Sequence, residues 1–400
     1  MMPVIFHIDV NSAFLSWTAV EQLKNGADVD LRTIPAIIGG DQKSRHGVVL
    51  AKSIPAKKYG IHTGEPVANA LRKCPNLVME SPDHKLYRRK SAELMEYLRR
   101  YSEKIEQVSV DECYMDFTEA VRQYPSPLEA AFIIKNGVRE TFGFTVNIGI
   151  SSNKLLAKMA SDFEKPDKVH TLFPEEVPLK MWPLPIGDLF MAGHSSVETL
   201  KKLEIQTIGD LAKADPDLIT LHLKSHGKML WEFANGIDHS DVQTEQTEAK
   251  GIGNSVTLSE DVTTYEEASA VFRKLAESVG KRLRKAGQKA NMVSMEIKYY
   301  DFQNMSHQTQ LSKPTNENQV LHETACKLFE ESWNGRPIRL LGLRTAKLVD
   351  ESEPEQLSIF DIEPPKQPDE KHQKLNAAME KIRKRYGNNA IIKASLMKKK

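Results

Sequence analysis

The chain has 400 residues, 27% charged and 40% hydrophobic, with a formal net charge of +1. That length exceeds one ordinary domain and implies two to four, and the near-neutral balance excludes a protein coated in basic surface. No apolar run approaches a membrane span, and MMPVIFHIDV lacks a basic stretch followed by a cleavable apolar one, so a soluble cytoplasmic protein is expected.

Residues 4–10, VIFHIDV, alternate in polarity and predict a strand. A helical pattern follows, with Phe14, Trp17, Val20 and Leu23 on one side and Ser12 as its cap. PAIIGG and GVVLAKS, within 34–52 and separated by DQKSRH, predict a hairpin. A helix over 84–104, a strand pair around Asp111, a helix near 127–142, the strand TVNIGI and a helix over 152–164 ended by Pro166 come next. GxGxxG and GxxxxGK[ST] are both missing, which favours an α+β sheet over a Rossmann or P-loop core. Beyond Pro183 the helices shorten, and SSVE at 195–198 and TIGD at 207–210 read as capping boxes. Joined by LEIQ, they form either a phosphate-facing pair of helix ends or a plain helical hairpin. DHSDVQTEQTEAKG at 238–251 is a polar linker. The last α/β unit, 252–349, has strands near 291–302 and 338–349 and helices near 265–286 and 316–333, and precedes a tail rich in Glu, Pro and Gln. No internal repeat is present. Cys74, Cys113 and Cys326 lie far apart without CxxC, which argues against a disulfide framework or a zinc site. Basic runs at 57–59, 87–90 and 281–289 and in the tail each read as a solvated helix face when taken alone, and as a nucleic-acid footprint if they share a surface.

SVDECYMDF, 109–117, is a strand pattern interrupted by Asp111 and Glu112. Burying an ionised carboxylate is costly. Adjacent residues of an ideal strand point to opposite faces, so either the backbone turns there or the two acids have separate roles. HIDV carries Asp9 in a similar apolar setting. If the two strands are neighbours, three carboxylates meet at one sheet edge. Two unit charges about 4 Å apart repel by about 4 kcal/mol at an effective dielectric near 20, so such a cluster asks for protons or cations. Mg²⁺ suits hard oxygen donors with open positions, and a pair of such ions serves phosphoryl transfer. Each acid alone also fits a sheet-edge salt bridge or cap.

HIDVNSAF, GGDQKSRHGVVLAKSIPAKKYGI, SVDECYMDF, NIGISSNKLLAKMASDFEKP and TIGDL, in that order, resemble the Y-family (DinB-type) translesion DNA polymerases over about residues 3–349. The resemblance implies an α+β multidomain right hand. Its ferredoxin-like palm is expected at 1–20 and 75–165 and small fingers at 21–74. A helical, helix-hairpin-helix-like thumb is expected at 166–238, a linker at 239–251, a DNA-gripping α/β little finger at 252–349 and a tail at 350–400. It also implies Asp9 and Asp111 as metal ligands, Glu112 as catalytic carboxylate and ligand, and the Val10 backbone carbonyl at the second of two Mg²⁺ ions. The substrates are then a dNTP and primer-template DNA. Phe14 falls at the steric-gate position, where an aromatic face beneath the sugar leaves no room for a 2′-OH; its spacing from Trp17 also fits a core residue. Lys57 and Lys165 fall where the family contacts the triphosphate, although Lys165 also suits the negative end of a helix dipole.

Two departures stand out. The fingers of the family carry Tyr and Arg three residues apart, where this chain has Ile54 and Lys57, and Ile54 has no donor for a phosphate. The thumb pattern GVG then LGI becomes Met191, Ala192, Gly193 and Leu203, Glu204, Ile205. Losing two glycines limits close backbone approach, and Glu204 repels a phosphate.

In the tail, Gln356, Leu357, Ser358, Ile359 and Phe360 resemble the sliding-clamp motif QLxLF. Leu357, Ile359 and Phe360 suit an apolar pocket, and a strand packing on its own domain is the alternative. Residues 369–386 predict an amphipathic helix with Leu375, Met379, Ile382 and Tyr386 on one face, Asp369 as cap and Gly387 as stop. The expected function is template-directed, error-prone translesion synthesis by a monomer, with transfer of a dNTP to a primer 3′-OH. A nucleotide cyclase is one rival, opposed by the thumb, little finger and clamp motif. A silent DNA-binding or clamp accessory is another, opposed by Asp9, Asp111 and Glu112.

Overall fold

Alternation in β1 (Ile5–Val10) decides the architecture of the first half of the chain. Phe6, Ile8 and Val10 point into a large apolar cluster, which leaves Ile5, His7 and Asp9 on the opposite face of the strand. The structure, a computed structural model, describes residues 2–40, 47–245 and 249–352 and positions 378, 381, 382 and 385. It divides into two units, 1–247 and 248–400.

In the first unit β1 is followed by α1 (Ala13–Lys24), β2 (Ala36–Gly39), β3 (Val49–Lys52), α2 (Ile54–Lys57), α3 (Val67–Lys73) and β4 (Val78–Glu80). Next come α4 (His84–Leu98), β5 (Ile105–Gln107), β6 (Glu112–Asp116), α5 (Pro127–Phe142), β7 (Val146–Ser151), α6 (Lys154–Asp162) and β8 (Val169–Thr171). The main sheet has the order β5-β6-β1-β7-β8, with β1 antiparallel to both β6 and β7. Strands β1, β5, β6 and β7 with their crossovers form a double split βαβ, the expected ferredoxin-like palm. α4 and α5 cover one face, where Leu94, Leu98, Ile134 and Val138 meet Phe6, Ile8, Met115, Phe117 and Ile148.

α6 lies against the other face, and Gly149 lets it come close. A Cβ at this position would stand 2.0 Å from the Ala157 carbonyl oxygen and 2.4 Å from the Ser161 nitrogen, both backbone atoms. Gly149→Ala is therefore expected to destabilise the protein by about 2–4 kcal/mol, since backbone has to move. Chemical denaturation would check this, and an unchanged midpoint would contradict it.

The expected hairpin forms as β2 and β3, antiparallel from Ile37↔Lys52. β4 adds in parallel beside β2, so the small sheet runs to Glu80 rather than stopping at 74. The helix expected over 84–104 ends at Leu98, and the chain turns through Arg99–Tyr101 before entering β5. Ser12 precedes α1 with left-handed backbone (φ 47°) and makes no side-chain cap. Instead Ser16 Oγ donates to the Asn11 carbonyl at 2.6 Å.

α7 (Val177–Lys180), α8 (His194–Lys202), α9 (Ile208–Lys213) and α10 (Pro216–Ala234), the last interrupted at Lys224, complete this unit. Their core joins Leu200, Ile205, Ile208, Leu211 and Leu230. TIGD caps α9 as expected: Thr207 Oγ1 accepts from the Asp210 N–H at 3.1 Å, and Asp210 accepts from the Thr207 N–H at 2.8 Å. SSVE does not cap α8. The helix starts earlier, at His194, with extended Gly193 as its boundary and no side-chain cap. Met191 (φ 68°) and Glu204 (φ 64°), which stand where the family pattern has glycine, keep left-handed backbone, a conformation that costs a side chain about 1–2 kcal/mol.

The second unit contains β9 (Gly251–Val262), α11 (Tyr265–Lys285), β10 (Gln288–Tyr299), β11 (Asn304–Thr315), α12 (Asn318–Ser332) and β12 (Ile338–Asp350). The antiparallel sheet has the order β11-β10-β12-β9. Phe272, Leu275 and Val279 of α11 and Leu321 and Phe329 of α12 pack with Val293, Met295, Ile297 and Leu341. The strand expected near 291–302 forms as β10; β11, which follows a turn at Tyr300–Gln303, and β9, at the start of the unit, are additional. The other sheet face is an open polar trough of about 860 Å³ lined by residues such as Ser255, Ser294, Glu296 and Arg344.

Gln356, Leu357, Ile359 and Phe360 lie outside the described residues, as does most of the helix expected at 369–386. Its described positions, Ala378, Lys381, Ile382 and Arg385, are helical and exposed. No helix among the described residues is long and apolar enough to cross a membrane.

Candidate active site

Asp9 and Glu112 are directly opposite each other in the β1–β6 register. Cross-strand partners share a face, and for this pair it is the α6 face. Asp111 precedes β6, and its carbonyl accepts from the Val10 N–H at 3.0 Å, tying the ends of the two strands together. Asp9 and the adjacent pair Asp111 and Glu112, about a hundred residues apart in sequence, therefore meet at one end of the sheet.

Each carboxylate has its own environment. Lys165 pairs with Asp9, and also with Asp162 at 2.8 Å. Burial opposes the charge of Lys165, but Asp9 and Asp162 outweigh it and raise its pKa. Asp111 accepts from Ser109 Oγ at 2.6 Å. Burial foremost raises the Asp111 pKa, with Asp9 and Glu112 adding repulsion and Ser109 opposing. Glu112 accepts from Lys158 Nζ at 3.1 Å. His7 Nε2 lies 3.3 Å from Glu112. The imidazole first, and Lys158 after it, hold Glu112 down to about 2 against the opposing effect of burial. His7 is itself buried, which lowers its pKa, and its Nδ1 lies 2.8 Å from Ser161 Oγ.

A cleft of about 490 Å³ opens beside these acids. It is lined by Asp9, Val10, Phe14, Ile54, Lys57, Asp111 and Lys165, so one space gathers most of the residues expected at the site. Phe14 stacks on Tyr87 (centroids 4.2 Å apart, planes 5° apart) and lies 6.3 Å from Trp17. It thus serves as both core and cleft wall, where the sequence left a choice between them. Ile54 is 53% exposed.

The donors fit a hard divalent cation in part. Asp9 and Asp111 supply carboxylate oxygens to the cleft, and a cation would relieve the repulsion that burdens Asp111. Among the described residues no three of His, Cys, Asp and Glu are grouped in a geometry that could hold a metal ion as they stand. Lys158 pairs with Glu112 and Lys165 with Asp9 in this arrangement.

Sequence reading missed His7, Lys158, Asp162, Ser109 and Tyr87. Lys158 and Asp162 did carry a signal, being four apart on one helix and 3.4 Å apart in space. The basic run 87–90 is split: Tyr87 and Lys90 are buried, the latter paired with Glu93 at 3.0 Å, while Arg88 and Arg89 are exposed and Arg89 pairs with Glu21 at 2.6 Å. In the run 281–289, Arg282 and Arg284 donate to the carbonyls of Gly253 and Asn316 at 2.7 and 2.6 Å.

Comparison with known proteins adds the following. A model described as the impB/mucB/samB family matches residues 8–162, and one described as the C-terminal domain of that family matches 249–359. The chain is 48% identical over 399 residues to the DNA polymerase IV of Clostridium acetobutylicum, covering 100% of this chain and 99% of that one. It is 38% identical to the DNA polymerase IV 1 of Bacillus subtilis, over 99% of this chain and 94% of that one. Among solved structures, a Y-family DNA polymerase chimera, Dbh-Dpo4(243-245)-Dbh, superposes with a TM-score of 0.75 at 21% identity, covering 87% of this chain and 99% of that one.

Proposed function

This chain belongs to the impB/mucB/samB family of Y-family DNA polymerases, and from that premise we propose that it carries out error-prone translesion synthesis with the cleft beside Asp9 and Asp111 as its active site. As a DNA-directed DNA polymerase it acts on primer-template DNA and deoxynucleoside triphosphates. The observation that carries the site assignment is the meeting of Asp9, Asp111, Phe14, Lys57 and Lys165 on one cleft.

We assign the divalent cations, two Mg²⁺ in this proposal, to Asp9, Asp111 and the Val10 carbonyl, with Glu112 joining on release from Lys158. Such ions lower the pKa of a 3′-hydroxyl and neutralise charge developing on pyrophosphate. The chain's own groups do the rest. Glu112, held well below the usual carboxylate range, is ionised at neutral pH and suited to carry its charge to a bound cation. Lys57 and Lys165 supply point charges for the triphosphate. Phe14, backed by Tyr87, forms a rigid floor for the sugar. The polar sheet face of the second unit suits the backbone of a duplex.

Gln356–Phe360 is assigned to a sliding clamp on its sequence alone. A micromolar site contributes only about 8 kcal/mol, yet a tether raises the local concentration of polymerase at a primer end. The protein is proposed to act as a monomer.

Primer extension on undamaged and damaged templates, with and without clamp, tests the reading. Purified protein with Mg²⁺ and dNTPs is expected to extend the primer past lesions, in short products that lengthen with clamp. No extension on any template would refute polymerase function; equal product lengths with and without clamp would refute the clamp assignment alone.

A further inference from the structure

The fingers of this chain lack the hydroxyl that the family pattern places at Ile54, yet the cleft contains a cation outside that pattern. Lys52, the last residue of β3, lines the same cleft as Asp9, Asp111, Ile54 and Lys57. The other cations there are largely committed. Arg32 donates to Asp30 at 2.7 Å and to the Gly143 carbonyl at 2.5 Å, and Lys165 pairs with Asp9 and Asp162. Among the described residues, neither Lys52 nor Lys57 has a carboxylate within ion-pair distance. The only side-chain hydrogen bond of Lys52 among those residues is to Thr63 Oγ1 at 3.4 Å. Burial first, and the charge of Lys57 second, lower the pKa of Lys52; Glu65 offsets this in part, but is itself paired with Lys73 at 2.8 Å.

Two like charges thus line one half-enclosed cleft, and among the described residues neither is paired with a carboxylate, although Asp9 and Asp111 line the same cleft. A protein gains nothing from that in the free state, since the repulsion disfavours the fold. It gains when a polyanion enters, because each ammonium then meets a charge that needs no reorganisation of the site.

We propose that Lys52 is a second phosphate-binding cation of the fingers and, with Lys57, holds the phosphates of the incoming nucleoside triphosphate in place of the hydroxyl missing at Ile54. This rests on the polymerase reading above. An ammonium on a four-carbon stem reaches into the cleft from two residues before Ile54, and it contributes charge where the hydroxyl contributed a hydrogen bond.

Single-nucleotide incorporation on a primed template, with dNTP varied at saturating Mg²⁺, tests the proposal. Lys52→Met keeps most of the stem and removes the charge. It is expected to raise the dNTP KM about 10-fold, to lower kcat less than about threefold, and to leave the Kd for primer-template unchanged. Lys52→Arg is expected to stay within about threefold of wild type, and Ile54→Tyr in the Lys52→Met background to recover much of the lost affinity. A dNTP KM for Lys52→Met within about twofold of wild type, or a loss confined to DNA affinity, would overturn the role of Lys52. Should Lys52→Met melt early, Lys52→Gln carries the same comparison. Wild-type protein that fails to extend any primer refutes the polymerase reading itself, a separate outcome.

Discussion

Asp111→Asn is expected to lower kcat for primer extension by about 10³-fold while leaving the cation-free protein at least as stable as wild type. Both halves follow from one environment. Asp111 faces the cleft, is partly desolvated and stands near Asp9 and Glu112, so its charge is disfavoured in the folded chain. A carboxylate kept charged against such opposition is suited to binding a cation, and an amide oxygen is a much weaker ligand. The sign of the stability effect is fixed by the raised pKa. Above the raised value the folded state carries a penalty for ionised Asp111, and the penalty disappears once pH falls below the ordinary 3.8. The variant's advantage in thermal melting with EDTA is therefore expected near pH 7 and absent near pH 3. Extension by Asp111→Asn within tenfold of wild type would remove Asp111 from the reaction. A variant much less stable than wild type at pH 7 would contradict the electrostatic reading.

Phe14→Ala is expected to reduce discrimination against ribonucleotides by about 10²-fold. The ring is fixed on one side by its stack with Tyr87 and faces the cleft with its other surroundings, so it cannot swing away from a bulkier sugar without losing about 1 kcal/mol of aromatic contact. Removing it opens room for a 2′-hydroxyl. Incorporation of dNTPs should fall by less than about tenfold, because acids and lysines are untouched. The ratio of kcat/KM for dNTP and rNTP checks this, and an unchanged ratio would reject Phe14 as a gate and leave it a core residue.

Much of the palm was legible because its residues obey one local rule. VIFHIDV alternates cleanly, so a strand with Asp9 on the face opposite Phe6 and Ile8 follows from period alone. TIGD was legible because a capping box satisfies its partners within four residues. SSVE carried the same pattern, but Gly193 started the helix first. β11 was missed because NMSHQTQLSKPT has few apolar residues; this edge strand exposes most of its side chains and is held by pairing with β10. The counter-charges of the acids were illegible for another reason. Lys158 lies 46 residues from Glu112 and Lys165 lies 156 from Asp9, and only the packing of α6 on the Asn147/Gly149 side of β7 brings them over. Lys52 gave no signal in a chain read against the family pattern, since the pattern assigns that position no role.

The cross-strand pairing of Asp9 with Glu112 has an evolutionary consequence. Side chains alternate along a strand, so losing or gaining one residue within β1 or β6 sends every later side chain to the wrong face. One acid would then sink among Phe6 and Met115, and the other would be left without its opposite. Sequence change in descendants of this chain is therefore expected to fall as substitutions around the cleft and as length changes in loops, not as deletions or insertions inside these two short strands.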